Sequence, residues 1–172
     1  PVAPTHRRPA HDHIRMLTSQ QFVDACTPWL TAADAPYPAD RFDAAVVLEM
    51  APHIQQRCVT LADAPGLVDF LFVDEPVVDA EAWAKATGTA EARAVFDGAV
   101  AAYDALADWT ADALKSALEQ IGEAHGLKLG KAQAPVRVAV TGRTVGPPLF
   151  ESLECLGRDR TMQRLRAAAA RP

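Results

Sequence analysis

The stretch Arg137–Arg160, RVAVTGRTVGPPLFESLECLGRDR, decides the fold class. Its leading edge overlaps Val136–Val140, the one β-like piece in the chain, and no other segment reads as a partner strand. A strand without a partner leaves its backbone donors and acceptors unmatched. Pro135 and Gly142 break any long helix around it, so 127–143 reads as a mixed basic and apolar connection. Beyond it the pattern turns helical. Gly146-Pro147-Pro148 sets a helix start, with Pro147 at the first helical position. Leu149, Phe150, Leu153 and Leu156 fall on one side, and Gly157 stops the helix. Asp159 caps a last helix carrying Met162 and Leu165.

Working outward, the same punctuation recurs. Thr18-Ser19-Gln20-Gln21 is a capping-box pattern, followed by Phe22, Cys26 and Leu30 at helical spacing. Residues 41–64 form the next helical block, with Val47, Met50, Ile54 and Leu61 on one face. Pro52 inside it either kinks the helix or opens a second one. Residues 67–72 are a short apolar run, either a helix end or an extended piece. Asp74-Glu75-Pro76 is a turn and a subdomain seam. A short helix over 80–87 ends at Gly88. Thr89 and Thr110 cap the next two, and Gly126 terminates the second. The expected fold is all-α: a helical bundle of two small packed subdomains, 13–75 and 76–172, behind a flexible lead-in, 1–12.

The chain has 172 residues, of which 49% are hydrophobic, enough for a packed core. The three cysteines are far apart and show no CxxC spacing, which argues against a disulfide framework or a zinc site and for reduced thiols. No apolar run is long enough for a membrane span, and no apolar h-region marks a secretory signal. The chain starts at Pro1 rather than Met, so a piece of a longer or tagged chain is expected. The net charge of −5 conceals an asymmetry. Residues 1–108 carry 7 basic and 16 acidic side chains; residues 109–172 carry 10 basic and 6 acidic. The basic end is either an RNA-facing surface or an imbalance spread over solvated helix faces.

No catalytic constellation emerges. Gly126–Lys131, GLKLGK, lacks the spacing of a phosphate loop. His11 and His13 lack a rigid partner set for a metal, and Glu151 and Glu154 read as a wet helix face. What remains is the basic segment with Arg137, Arg143 and Gly146-Pro147. A helix N-terminus offers free N–H groups to a phosphate or base edge, glycine allows close backbone approach, and arginines supply planar forks. The residues alone leave an ordinary loop–helix junction equally open.

From Gly126 to Leu165, GLKLGKAQAPVRVAVTGRTVGPPLFESLECLGRDRTMQRL, the sequence resembles the C-terminal signature of bacterial glutamyl-tRNA synthetases: a basic residue after GLK, apolar-Arg-apolar, the TG pair, Pro before LFE, then LGRxRxxRL. Asp108-Trp109-Thr110, Arg57–Leu61 with Pro65 and Phe70–Phe72, and His13-Ile14-Arg15 extend the likeness over roughly 13–170. It implies the anticodon-binding region of a class I aminoacyl-tRNA synthetase. The catalytic HIGH and KMSKS-type motifs are absent from this sequence.

The resemblance further implies a cytoplasmic, monomeric parent that ligates glutamate to its tRNA using ATP and magnesium. This part would bind the anticodon loop and need no cofactor, DNA or membrane of its own. Arg57 matches the residue that reads the third anticodon base and excludes glutamine tRNA. Arg137, Gly146-Pro147 and Leu149 match a second contact cluster, with Arg143 beside it. Gly146 stands where the family often has threonine, Glu119 where it has an arginine, and Ala10 where it has an asparagine. The competing expectation, from a different class, is a helical protein-interaction module that does not bind RNA.

Overall fold

Thr18 begins the first long helix by a reciprocal exchange of hydrogen bonds. Its hydroxyl accepts from Gln21 N at 3.2 Å, and Gln21 Oε1 accepts from Thr18 N at 2.9 Å. Two otherwise orphaned helix-end donors are thereby satisfied. The computed structural model describes residues 10–171. Among the described residues there are ten α-helices and no strand. The chain divides into two compact units between Phe72 and Val73.

The first unit contains α1 (Ala10–Met16), α2 (Ser19–Leu30), α3 (Ala44–Ile54) and α4 (Ala64–Val68). Residues 10–12, expected in the lead-in, form the first turn of α1; residues 1–9 lie outside the described residues. Phe22, Cys26, Leu30, Val47, Met50, Ile54 and Phe70 form a core with at most 1% exposure. The 41–64 block is not continuous helix. Pro52 lies inside α3, which ends at Ile54 and tightens into a 3-10 turn, Gln55–Arg57. Tyr37 closes the unit: its hydroxyl donates to Leu30 O at 2.9 Å and its ring packs on Phe72. Burial raises the Cys26 thiol to about 12 and the Cys58 thiol to about 11, so both stay protonated at neutral pH.

The second unit contains α5 (Ala80–Ala86), α6 (Ala90–Ala105), α7 (Ala111–Ala124), α8 (Leu129–Thr141), α9 (Leu149–Leu156) and α10 (Arg158–Ala169). Asp79, Thr89 and Thr110 cap α5, α6 and α7. Here the structure corrects a reading of the sequence. Val136–Val140 is not a strand but the last turns of α8, and Pro135 is inside that helix rather than a breaker of it. The reason is position. α8 packs against α5, α6, α7 and α10, and Ala132, Val136, Val138, Ala139 and Val140 are all buried. A helix enclosed on several sides shows a run of apolar residues rather than a stripe, and such a run cannot be told from a buried strand by period alone. Proline in a helix interior costs about 3 kcal/mol, which this burial offsets.

α8 ends at Gly142, whose φ of +81° is the left-handed region that L residues avoid. The glycine is needed for a second reason. A Cβ there would sit 2.2 Å from Val77 O, because the segment leading into α5 crosses the end of α8 and Asp79 N donates to Gly142 O at 3.0 Å. Gly142→Ala should therefore lower stability by about 3 kcal/mol, combining backbone strain with a clash that backbone cannot relieve cheaply. A urea unfolding curve checks this; an unchanged midpoint would refute the account.

Candidate nucleic-acid interface

Arg57 is an exposed side chain on a fixed base. It ends the 3-10 turn that follows α3, between buried Gln55 and buried Cys58. Downstream, the Asp63 carboxylate accepts from Val59 N at 2.9 Å and Thr60 N at 2.7 Å. Upstream, Gln55 Nε2 donates to Ile14 O at 2.5 Å and Leu17 O at 2.8 Å. Val59, an exposed apolar residue beside Arg57, adds a surface on which a flat ring can rest.

The other candidate residues belong to the second unit. Arg137 projects from α8, half-buried, and its Nη1 donates to Pro147 O at 2.6 Å. The guanidinium thus holds the Gly146-Pro147 turn from beneath. Pro147 is buried and Leu149 is 1% exposed, so neither presents a free side chain. The helix begins at Leu149 with Pro148 as its N-cap, slightly later than the sequence pattern suggests. Gly146 is half-exposed, and a Cβ there would meet only Arg137 Nη1, at 3.7 Å. The position accepts a side chain, so glycine here is not a steric requirement. Arg143 is half-buried, and its carbonyl lies 3.2 Å from Thr141 Oγ1. Thr144 and Val145 are exposed between these anchors.

The arginines after Gly157 have a different role from the one their charge suggests. Arg164 is 3% exposed and donates to Val140 O at 2.8 Å and Val73 O at 2.6 Å. Arg160 donates to Val73 O at 2.7 Å. Arg158 donates to Leu106 O and sits 5.1 Å from the centre of the Trp109 ring. Arg166 pairs with Asp104 at 2.5 Å. Much of the basic excess of the C-terminal part is therefore internal structure. Glu154 is also structural: its Oε2 accepts from Ala111 N at 3.0 Å, at the start of α7. The GLKLGK segment is the turn between α7 and α8 followed by the first residues of α8, with Gly126 at φ +70° and Leu127 N donating to Gly122 O at 2.8 Å.

Sequence reasoning missed one basic feature. A groove of about 360 Å³ runs beside the turn, lined by Lys85, Thr89, Lys131, Ala134 and Thr144 among others. Lys85 and Lys131 are both exposed. Lys131, Ala134 and Arg137 stand at three-residue steps on α8, which carries the groove towards Gly146. Three-residue spacing along 129–141 would have indicated this had the segment been read as helix. Among the described residues, no group of three or more His, Cys, Asp or Glu side chains is placed to hold a metal ion. None of the described helices is long and apolar enough to cross a membrane.

A fold of two all-α units of this size has a parallel in a known class. Residues 21–169 match the model of the anticodon binding domain family. The chain belongs to that family. It is 53% identical over 164 residues to a glutamate–tRNA ligase of Salinispora arenicola, covering 93% of this chain and 35% of the relative. It is 54% identical over 161 residues to that of Streptomyces griseus, covering 93% and 32%. The chain thus spans about a third of the length of these curated relatives. In three dimensions it is similar to a glutamate tRNA ligase from Elizabethkingia meningosepticum, with a TM-score of 0.75, 19% identity, and coverage of 93% of this chain and 30% of that one. The fold is the all-α anticodon-binding type.

The arginines divide cleanly by experiment. Arg164→Met should cost about 2 kcal/mol of unfolding free energy, since it strands the buried Val140 carbonyl and removes one of the two donors to Val73 O. Arg57→Gln should change stability by less than about 0.5 kcal/mol, as expected for an exposed side chain with no structural bond to lose. Chemical denaturation of both variants checks the contrast, and equal losses would contradict it.

Proposed function

We propose that this chain is the anticodon-recognising part of a glutamate–tRNA ligase and that Arg57 reads a base of the anticodon. The observation that carries the reading is the setting of Arg57: an exposed guanidinium on a turn fixed from both sides. A guanidinium fork placed rigidly can pair with a base edge in one geometry only, which is what discrimination requires. A charge meant only for phosphates needs no such frame.

In the second unit, Arg137 shapes the Gly146-Pro147 turn and Arg143 flanks it, with Leu149 packed beneath the turn at the start of α9. Lys85 and Lys131 line the adjoining groove as phosphate contacts. The subdomains 13–75 and 76–172 act as two contact modules for one anticodon loop. Ligation of glutamate, with its ATP and magnesium, belongs to the part of the parent enzyme that the relatives have beyond this chain. The parent acts in the cytoplasm as a monomer and discriminates against glutamine tRNA. DNA and membranes are not its partners.

Two measurements test the proposal. Anticodon stem-loops of glutamate and glutamine tRNA are titrated against the chain and its Arg57→Gln variant. The variant should lose about 1–3 kcal/mol of discrimination between them. An unchanged ratio would sink the specificity role, and no binding of either loop at low salt would favour a protein-interaction module instead.

Separately, Lys131→Gln should weaken both loops alike and reduce the slope of log Kd against log salt by about 0.7, the value for one phosphate contact on a single strand. A loss confined to one loop would contradict the phosphate role of the groove.

A further inference from the structure

Gln55 is one of the few buried polar side chains among the described residues, at 8% exposure. A primary amide in that position has to be matched at its donors, and it is. Nε2 carries two hydrogens, and two carbonyl oxygens lie within reach: Ile14 O at 2.5 Å and Leu17 O at 2.8 Å. Both lie where α1 ends; Ile14 O also accepts from Leu17 N at 3.3 Å, and Leu17 O follows the helix. The bond runs in the other direction too. Arg15 Nη2, from α1, donates to Gln56 O at 3.3 Å. Three hydrogen bonds therefore join the end of α1 to Gln55 and Gln56, the two residues immediately before Arg57.

We infer that Gln55 is a positioning residue for Arg57, holding the 3-10 turn against α1 so that the Arg57 guanidinium meets the anticodon base in the discriminating geometry. The inference rests on the reading of Arg57 given above. Its physical ground is the steep dependence of hydrogen bonding on distance and angle. A 3-10 turn is short and its internal hydrogen bonds are poorly aligned, so its orientation is set from outside. The side chain of Asp63 holds the residues after Arg57, and Cys58 is buried. The residue before the pair Gln56-Arg57 is held by the Gln55 amide alone among the side-chain bonds described for it. A shift of the turn would leave the charge of Arg57 in place while spoiling its aim. Discrimination would fall, and sequence-independent attraction would not.

The test uses the full chain, with the two anticodon stem-loops as probes. Gln55→Met keeps the length and removes both donors; Gln55→Glu replaces them with a carboxylate facing two carbonyls. In whichever variants give the parent's helical circular dichroism, the preference for the glutamate loop should fall about tenfold, close to the loss in Arg57→Gln, with the salt slope unchanged. In an Arg57→Gln background, Gln55→Met should cause no further fall. Arg15→Met, which alters an exposed side chain and leaves the core intact, should lower the preference about threefold. It keeps the question answerable if both Gln55 variants unfold.

A folded Gln55→Met that retains the parent's preference would overturn the inference, as would an additive loss in the double variant. If the Gln55 variants unfold, an unchanged preference in Arg15→Met overturns it instead. If Arg57→Gln itself leaves the preference unchanged, the fault lies in the anticodon reading, and this inference falls with it.

Discussion

A helix buried on most of its circumference constrains everything that touches it, and α8 is such a helix. Four helices of the second unit pack on it, and its last two turns are almost wholly apolar. Close packing allows no slack at its end, which is why the chain must reverse at Gly142 directly beneath the Val77 carbonyl. The side chain that escapes this enclosure is Arg137. It leaves α8 half-buried and bonds to Pro147 O, so the turn before α9 is suspended from a helix enclosed by four others. The position of the turn is therefore a consequence of core packing, transmitted through one guanidinium.

Arginine serves two opposite purposes in this chain, and exposure separates them. Arg158, Arg160 and Arg164 point their forks inward and satisfy carbonyls left open by loops and helix ends. Each links segments far apart in sequence, Val73 with α10 and Leu106 with the start of α10. Lysine could not do this as well, because a guanidinium presents several donors in a fixed plane. Arg57 is solvent-facing instead, with its neighbours rather than itself carrying the structure. The net positive charge of the C-terminal part is thus a poor guide to where a polyanion would sit. Exposed Lys85 and Lys131 beside the turn are a better one.

Much of the architecture was legible in the sequence because it is written in local chemistry. The caps at Thr18, Thr89 and Thr110, and the stops at Gly126 and Gly157, are all where their residue types require. The failures are equally physical. Val136–Val140 looked like a strand because enclosure in the core erased the helical stripe. Pro135 looked like a breaker because its local penalty is visible in sequence while the tertiary burial that outweighs it is not. At the candidate site, the residue types were visible but their directions were not. Nothing in the string RVAVTGRTVGPP says that Arg137 turns towards Pro147 O. Gln55 was invisible for the same reason: its partners are some forty residues away, on α1.

The two units also differ in what they offer a nucleic acid. The second offers a half-exposed glycine at the turn and two exposed lysines, which suit phosphates and depend weakly on orientation. The first offers Arg57, exposed on a turn whose flanking residues are held by Gln55 and Asp63. Phosphate contacts place a strand without reading it, and base contacts read it only if the strand is already placed. On the proposed reading, each unit alone would be incomplete: the second would hold an anticodon loop of any sequence, and the first would lack the attraction to hold one long enough to test it. On that reading, the sharpest determinant can lie in the more acidic part of the chain. A strongly basic surroundings would add affinity for every loop equally, and so dilute the contribution of the one residue that tells them apart.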